Sequence, residues 1–188
     1  ARNVSAQVDR ASEIINSLRE FGRKPDFVKE RVDINAVIKD VLAIIGKQLK
    51  IHNIDIITNF NDSLPPILAQ SNRIEQVFFN LLTNAGDAIH QKREATGTER
   101  PEKITISTYS QQEHIVVSVS DTGIGISDDA MDKIFEPFYT TKEVGKGMGL
   151  GLSILYGIIK DYGGEIEIQS TPGEGTTFKN ILPAADSF

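Results

Sequence analysis

The sequence predicts an α+β fold, a two-layer α/β sandwich preceded by a long N-terminal helix. Three observations carry that expectation. Stretches of β-branched, alternating residues are segregated from helix-period stretches along the chain, rather than interleaved in βαβ units. Residues 71–90 place Ile74, Val77, Phe78, Leu81, Leu82, Ala85 and Ile89 on one face of a helix. At the N-terminus, Val4, Val8, Ala11, Ile15 and Leu18 follow spacings of 4, 3, 4 and 3, the seam of a coiled coil or helical bundle.

In chain order, the heptad helix is stopped by Gly22 and Pro25. It is too short to be stable alone, so it needs a partner helix, and an intermolecular bundle is the favoured one. Residues 1–25 are therefore set apart from 26–188. Residues 32–34 read as a short strand, and 35–49 as an amphipathic helix capped by Asp33 or Asn35. Residues 54–60 alternate as a strand, which Pro65-Pro66 follows as a break. After the helix at 71–90, the polar segment 91–102 reads as a loop. Strands are expected at 103–110 and 114–121, joined by a polar turn around Gln111. Glycine dominates from 123 to 151. A helix from about 150 to 162 ends at Gly163-Gly164, and strands at 165–170 and 176–182 flank the turn TPGEG.

The 188 residues carry 20 Lys+Arg against 26 Asp+Glu, a net charge of −6. That balance gives no general attraction to nucleic acid or anionic lipid. With no cysteine, the chain has no disulfide, thiolate metal site or thiol nucleophile, and a reducing compartment fits. The longest apolar run, at 41–45, is far short of the roughly 18 residues needed to cross a bilayer. The opening ARNVSAQVDR, without an initiator Met or a signal-peptide profile, reads as the start of an excised fragment.

Four clusters carry candidate chemistry. Asn80, Asn84 and Asp87 fall on one side of the long helix, beside its apolar stripe. Their oxygens suit a hard cation such as Mg²⁺, and the same spacing also describes a solvated polar edge. Asp121-Thr-Gly123-Ile-Gly125 follows a strand directly. Asp-Thr-Gly also marks aspartic proteases, but it occurs once here and Ile124 follows, so a carboxylate recognising an exocyclic amine is the better use. Gly145-Lys-Gly147-Met-Gly149-Leu-Gly151-Leu runs into a helix, whose free N–H groups could hold phosphate. Upstream, Phe135-Glu-Pro-Phe-Tyr-Thr-Thr-Lys142 adds aromatic anchors and a cation, so the whole describes a mobile lid or a plain flexible loop. Gly173-Glu-Gly175-Thr176-Thr177 alone is only a hairpin turn.

In this order, RIEQVFFNLLTNAGDA, DTGIG, FEPFYTTK, GKGMGLGL and GEGTTF resemble the boxes of the ATP-binding catalytic domain of sensor histidine kinases. More widely they resemble the superfamily that includes gyrase, Hsp90 and MutL. Upstream, QVDRASEIINSLREFGR resembles the second helix of that family's dimerisation and phosphoacceptor hairpin.

The resemblance implies a Bergerat-type fold, ATP and Mg²⁺ as ligands, and cytoplasmic location in a parent protein free to be membrane-anchored. It implies that Asp121 binds the adenine amine, with Thr176 nearby and Gly123 and Gly125 shaping the pocket beside Ile126. It implies Asn84 as the Mg²⁺ ligand, with Asn80 supporting the phosphates or the metal and Asp87 within the cofactor site. Gly147, Met148, Gly149, Leu150, Gly151 and Leu152 would give the lid contacts, with Lys142 or Lys146 adding charge. Phe135 and Phe138 would anchor the lid. In the gyrase-like ATPases, a Glu one turn before the metal-binding Asn serves as general base for water. Here that position is Asn80, which cannot accept a proton. Asn80 and Lys142 are thus expected in phosphoryl transfer to a nucleophile other than water.

The implied acceptor is a histidine on a helix before Ala1. None of His52, His90 and His114 has the family's acceptor context. Implied partners are that phosphoacceptor helix, a second copy of the parent chain and a response-regulator receiver domain. Gln70 stands where many relatives have Asp, which should alter local capping. The alternative is a non-catalytic, nucleotide-dependent switch.

Overall fold

The computed structural model describes residues 28–97, 100–142 and 147–185. The heptad helix at 1–25 and Lys146 lie outside the described residues.

Strand β1 (Glu30–Val32) ends where Asp33 turns to cap helix α1 (Ile34–Ile51). The Asp33 carboxylate accepts from the Asn35 and Ala36 N–H groups at 2.8 and 3.3 Å, which makes it the cap rather than Asn35. The short strand thus sits two residues earlier than the sequence predicts, because the cap needs residue 33. Strand β2 (Ile54–Asn59) follows, then β3 (Ile67–Ala69), which the sequence reading does not contain. It pairs antiparallel with β1 as a small separate ribbon. Three residues are too few to show an alternation.

Helix α2 (Ser71–Thr96) runs well past residue 90 and ends at Gly97, whose φ is 63°. The predicted loop at 91–102 is therefore helical for its first half. Its residues are polar but good helix formers, and polarity alone does not make a loop. They also have tertiary partners: the Arg93 guanidinium donates to the His52 and Asn53 carbonyls just past the end of α1. Gln70 caps α2 with no side-chain hydrogen bond, as the departure there implies.

Strands β4 (Glu102–Gln111) and β5 (His114–Asp121) form the expected hairpin. Helix α3 (Asp128–Met131) is a single turn within the glycine-rich segment that the reading left without elements. Helix α4 (Gly151–Asp161) and strands β6 (Glu165–Thr171) and β7 (Gly175–Pro183) complete the order.

The main sheet has the order β2-β4-β5-β7-β6. Its pairs are antiparallel except β2 with β4, which run parallel because α2 returns the chain between them. On β4 and β5, every second residue (Ile104, Ile106, Ile115, Val117, Val119) is buried under the helices. Phe178 and Leu182 do the same on β7. Against them pack Ile38 and Ile45 of α1, Phe78, Leu82 and Ile89 of α2, and Leu155 and Ile159 of α4. The result is the expected α+β two-layer sandwich, with helices α1, α2 and α4 packed on the sheet.

Candidate functional site

At the end of β5, the alternation that buries Val117 and Val119 carries Asp121 to the same inner side. Its Oδ1 accepts the Gly123 N–H at 2.8 Å, and the Thr176 backbone N–H on β7 is a second donor. Burial pushes the carboxyl up to about 6, against the lowering effect of those donors and of Lys92. The following loop is fastened on both sides. Ile124 N donates to the Ala88 carbonyl of α2 at 3.0 Å, and Ile126 N to Ser170 Oγ of β6 at 2.8 Å. Gly125, at φ +74°, lies so close to the β6–β7 turn that a Cβ would sit 2.3 Å from the Thr171 carbonyl oxygen. Its glycine serves chain packing there.

The opposite end of the site lies between α2 and the start of α4. Asn80 Nδ2 donates to the Gly151 carbonyl at 3.1 Å, tying the two helices together. Leu150 caps α4 without a side-chain hydrogen bond. The positive end of the helix dipole thus faces the site without a capping side chain from Leu150. Lys142 reaches back from the lid: its Nζ lies 2.5 Å from Asp87 Oδ2 and 3.3 Å from Asn84 Oδ1.

Between these ends is a cavity of about 330 Å³. Of the residues singled out in the sequence, Asn80, Asn84, Asp121, Gly125, Ile126, Lys142, Gly147, Met148, Gly149, Leu150, Gly151, Leu152 and Thr176 line it. Asp87 and Gly123 do not. The Asp87 side chain is half exposed and turned to Lys142, and Gly123 packs on Ala88, meeting the site only through its N–H to Asp121. Phe135 packs against Tyr156 of α4, with ring centroids 4.8 Å apart and the rings tilted by 39°. Phe138 is different. Its backbone is held to Gly149 at 2.9 Å while its ring is 64% exposed, so it anchors through the main chain.

The sequence reading missed several wall residues, among them Ala88, Gln91, Val119 and Ile134, while Tyr139 and Phe178 lie within the quoted boxes. Ala88 and Gln91 continue the Asn80–Asn84 face of α2, a signal that was present in the spacing.

A profile of the histidine kinase-, DNA gyrase B- and HSP90-like ATPases matches residues 69–186. The chain belongs to that ATPase family.

Among curated relatives, the sensor kinase CckA of Brucella abortus is 38% identical over 187 residues, which cover 96% of this chain. This chain spans only 20% of that relative's length. The solved catalytic domain of histidine kinase ThkA superposes with a TM-score of 0.71 at 30% identity, covering 85% of this chain and 97% of that one. The structure of ThkA with response regulator protein TrrA gives 0.74 at 28% identity, covering 97% of this chain and 49% of that one.

As a member of this ATPase family, the chain has a site that fits its ligand. The cavity is of small-molecule size, with a buried carboxylate at one end and a helix N-terminus that lacks a side-chain cap at the other. Among the described residues no three His, Asp or Glu side chains gather as a metal cluster. A divalent cation at Asn84 would therefore take its other ligands from phosphate oxygens and water, as Mg²⁺ commonly does.

Proposed function

We propose that the chain is the ATP-binding catalytic core of a sensor histidine kinase. In this reading it transfers the ATP γ-phosphoryl group to a histidine on a dimerisation helix, for relay to a response-regulator aspartate. One observation carries it. Among the described residues lining the cavity, Asp121 is the single carboxylate, and it lies at the end away from Asn80, Asn84 and the α4 N-terminus. Among the described residues that line it, the phosphate end thus offers no carboxylate to take a proton from water. Asn80, at the position of the hydrolases' base, instead donates to Gly151.

The chain's residues divide the work accordingly. Asp121 accepts from the adenine amine, and Thr176 closes that end. The α4 N-terminus and Lys142 hold the phosphates, and Asn84 offers its amide oxygen to Mg²⁺, which when bound would neutralise phosphate charge. In the transfer, an imidazole nitrogen forms the N–P bond as the bond from γ-phosphorus to the bridging oxygen breaks, and ADP leaves with that electron pair. The site's contribution is position and charge.

Residues 1–25 we assign to the dimerisation helix of a homodimeric parent, and 26–188 to the ATP-binding unit. The catalytic domain of ThkA alone covers 85% of this chain, while ThkA with TrrA covers 97%, which supports both the division and a receiver-domain partner. No helix among the described residues is long and apolar enough to cross a membrane. We place the site on the cytoplasmic side, where ATP is available.

Calorimetric titration of ATP, with and without Mg²⁺, tests the reading on this chain and on Asp121→Ala and Asn84→Ala. Loss of binding in the first and weakened Mg²⁺ dependence in the second are expected. Adding a histidine-bearing dimerisation helix should then yield acid-labile phosphohistidine. Tight ATP binding with no transfer would leave a nucleotide-dependent switch in its place.

A further inference from the structure

The strand end that carries Asp121 is gripped from behind by a partly buried ion pair with no part in lining the cavity. Lys92, on the late turns of α2, donates from Nζ to the Thr122 carbonyl at 2.6 Å and lies 3.5 Å from Glu102 Oε1. The Thr122 hydroxyl donates to Glu102 Oε2 at 2.5 Å and accepts the Lys103 N–H at 3.0 Å. The Glu102 side chain is 8% exposed and that of Lys92 21%. Such a pair has a desolvation cost that its mutual attraction barely offsets, so stability alone gives it little reason to exist. Its geometry gives a better one. Both of its contacts outside the pair fall on Thr122, the residue between Asp121 and Gly123: Lys92 on the carbonyl and Glu102 on the hydroxyl.

We propose that Lys92 is a positioning residue for nucleotide binding, which acts through the Thr122 carbonyl and its partner Glu102 to aim the Asp121 carboxylate at the base. This rests on the ATP reading above and adds to it. The charged groups that face Asp121 are the same two: Lys92 from α2, which favours the ionised carboxylate, and Glu102 from β4, which opposes it. From β7 the neighbour is the uncharged Thr176 backbone. The pair thus holds the residue next to Asp121 and adds two opposing charge effects to a carboxyl governed first by its burial.

The two partners then move the Asp121 midpoint in opposite directions, and affinity at pH 8, where the carboxyl is ionised, separates positioning from charge alone. The test follows the Asp121 carboxyl carbon by NMR against pH in the nucleotide-free chain, with ATP affinity measured by calorimetry over the same range. Lys92→Met should raise the Asp121 midpoint, Glu102→Gln should lower it, and Lys92→Arg should restore it. For a midpoint raised by about one unit, ATP affinity at pH 6 falls about fivefold. Lys92→Met leaves Glu102 without its cation and could fail to fold. The double variant Lys92→Met/Glu102→Gln removes both charges and should bring the midpoint back toward its starting value. Its ATP affinity should stay reduced even at pH 8, because Thr122 has still lost its donor.

An unmoved midpoint in folded Lys92→Met or in Glu102→Gln, with ATP still bound, overturns the Lys92 assignment alone. So does an equal loss of affinity at every pH in both. Failure of the unmodified chain to bind ATP overturns the nucleotide reading, and this role with it.

Discussion

Asp121 has two demands placed on it that pull in opposite directions. Buried beneath α2, its carboxyl titrates at about 6 instead of its ordinary value of 3.8. The folded chain therefore holds this proton more tightly than the unfolded chain. The native state gains from it below about pH 4, and that gain is lost as pH rises through 6. A shift of this size corresponds to about 3 kcal/mol at pH 7, so Asp121→Asn should stabilise the nucleotide-free chain by up to that amount while weakening ATP binding, since the amide oxygen accepts without charge. Urea unfolding and calorimetry on the same variant check both halves. Since the amine needs an acceptor, ATP affinity of the unmodified chain should fall about tenfold between pH 7.5 and pH 5, where about one carboxyl in ten remains ionised. Lys142 is the second decisive residue. A charge-assisted hydrogen bond to phosphate is worth about 1.5–3 kcal/mol, so Lys142→Ala should weaken ATP binding by roughly tenfold or more, and ADP binding less. Its half-exposed partner Asp87 is a control: Asp87→Asn should change unfolding free energy by less than about 1 kcal/mol.

Among the elements, the lid and α4 show how the same residue type serves opposite purposes. Gly149 sits at φ +67°, and a Cβ there would lie 2.5 Å from backbone atoms of Phe138 and Tyr139. Neither can step aside without moving the lid. Gly149→Ala should therefore cost about 1–3 kcal/mol in urea unfolding and weaken ATP binding as well. Gly157 lies inside α4 with nothing near the position of a Cβ. Gly157→Ala should raise stability by about 0.5–1 kcal/mol and leave nucleotide binding unchanged. The two substitutions are chemically identical, and the backbone angle at each glycine together with what packs against it gives them opposite signs. Helix α2 makes a related point. Its extension beyond residue 90 carries Gln91 to the cavity, Lys92 to Thr122 and Arg93 to the end of α1. A span whose composition reads as loop is held by these tertiary partners.

At the scale of the whole molecule, the site is a seam between layers. Its base end belongs to the sheet, at the close of β5 and the start of β7, and its phosphate end to the two helices above. A ligand that spans both must tie them together. ATP with Mg²⁺ at about 100 times its dissociation constant should add about 2.7 kcal/mol to stability, read as a rise in melting temperature. Asp121→Ala should show no such rise. A rise that is equal in both chains would place the nucleotide elsewhere on the molecule.

Much of this was legible in the sequence because it is local. Asn80 and Asn84 share a helix face by their spacing, DTGIG follows a strand, and GMGLGL opens a helix, whatever the rest of the chain does. Periodicity of 2 and 3.6 gave the layers. What it could not give were relations between distant segments. The pairing of β1 with β3, the parallel pairing of β2 with β4 and the turning of Asp87 toward Lys142 depend on residues far apart in the chain. So does the grip of Lys92 and Glu102 on Thr122. Side-chain period is a property of the backbone at each residue, and sequence records it. Which polar group meets which, and which carboxylate is stripped of water, is decided only when the layers close.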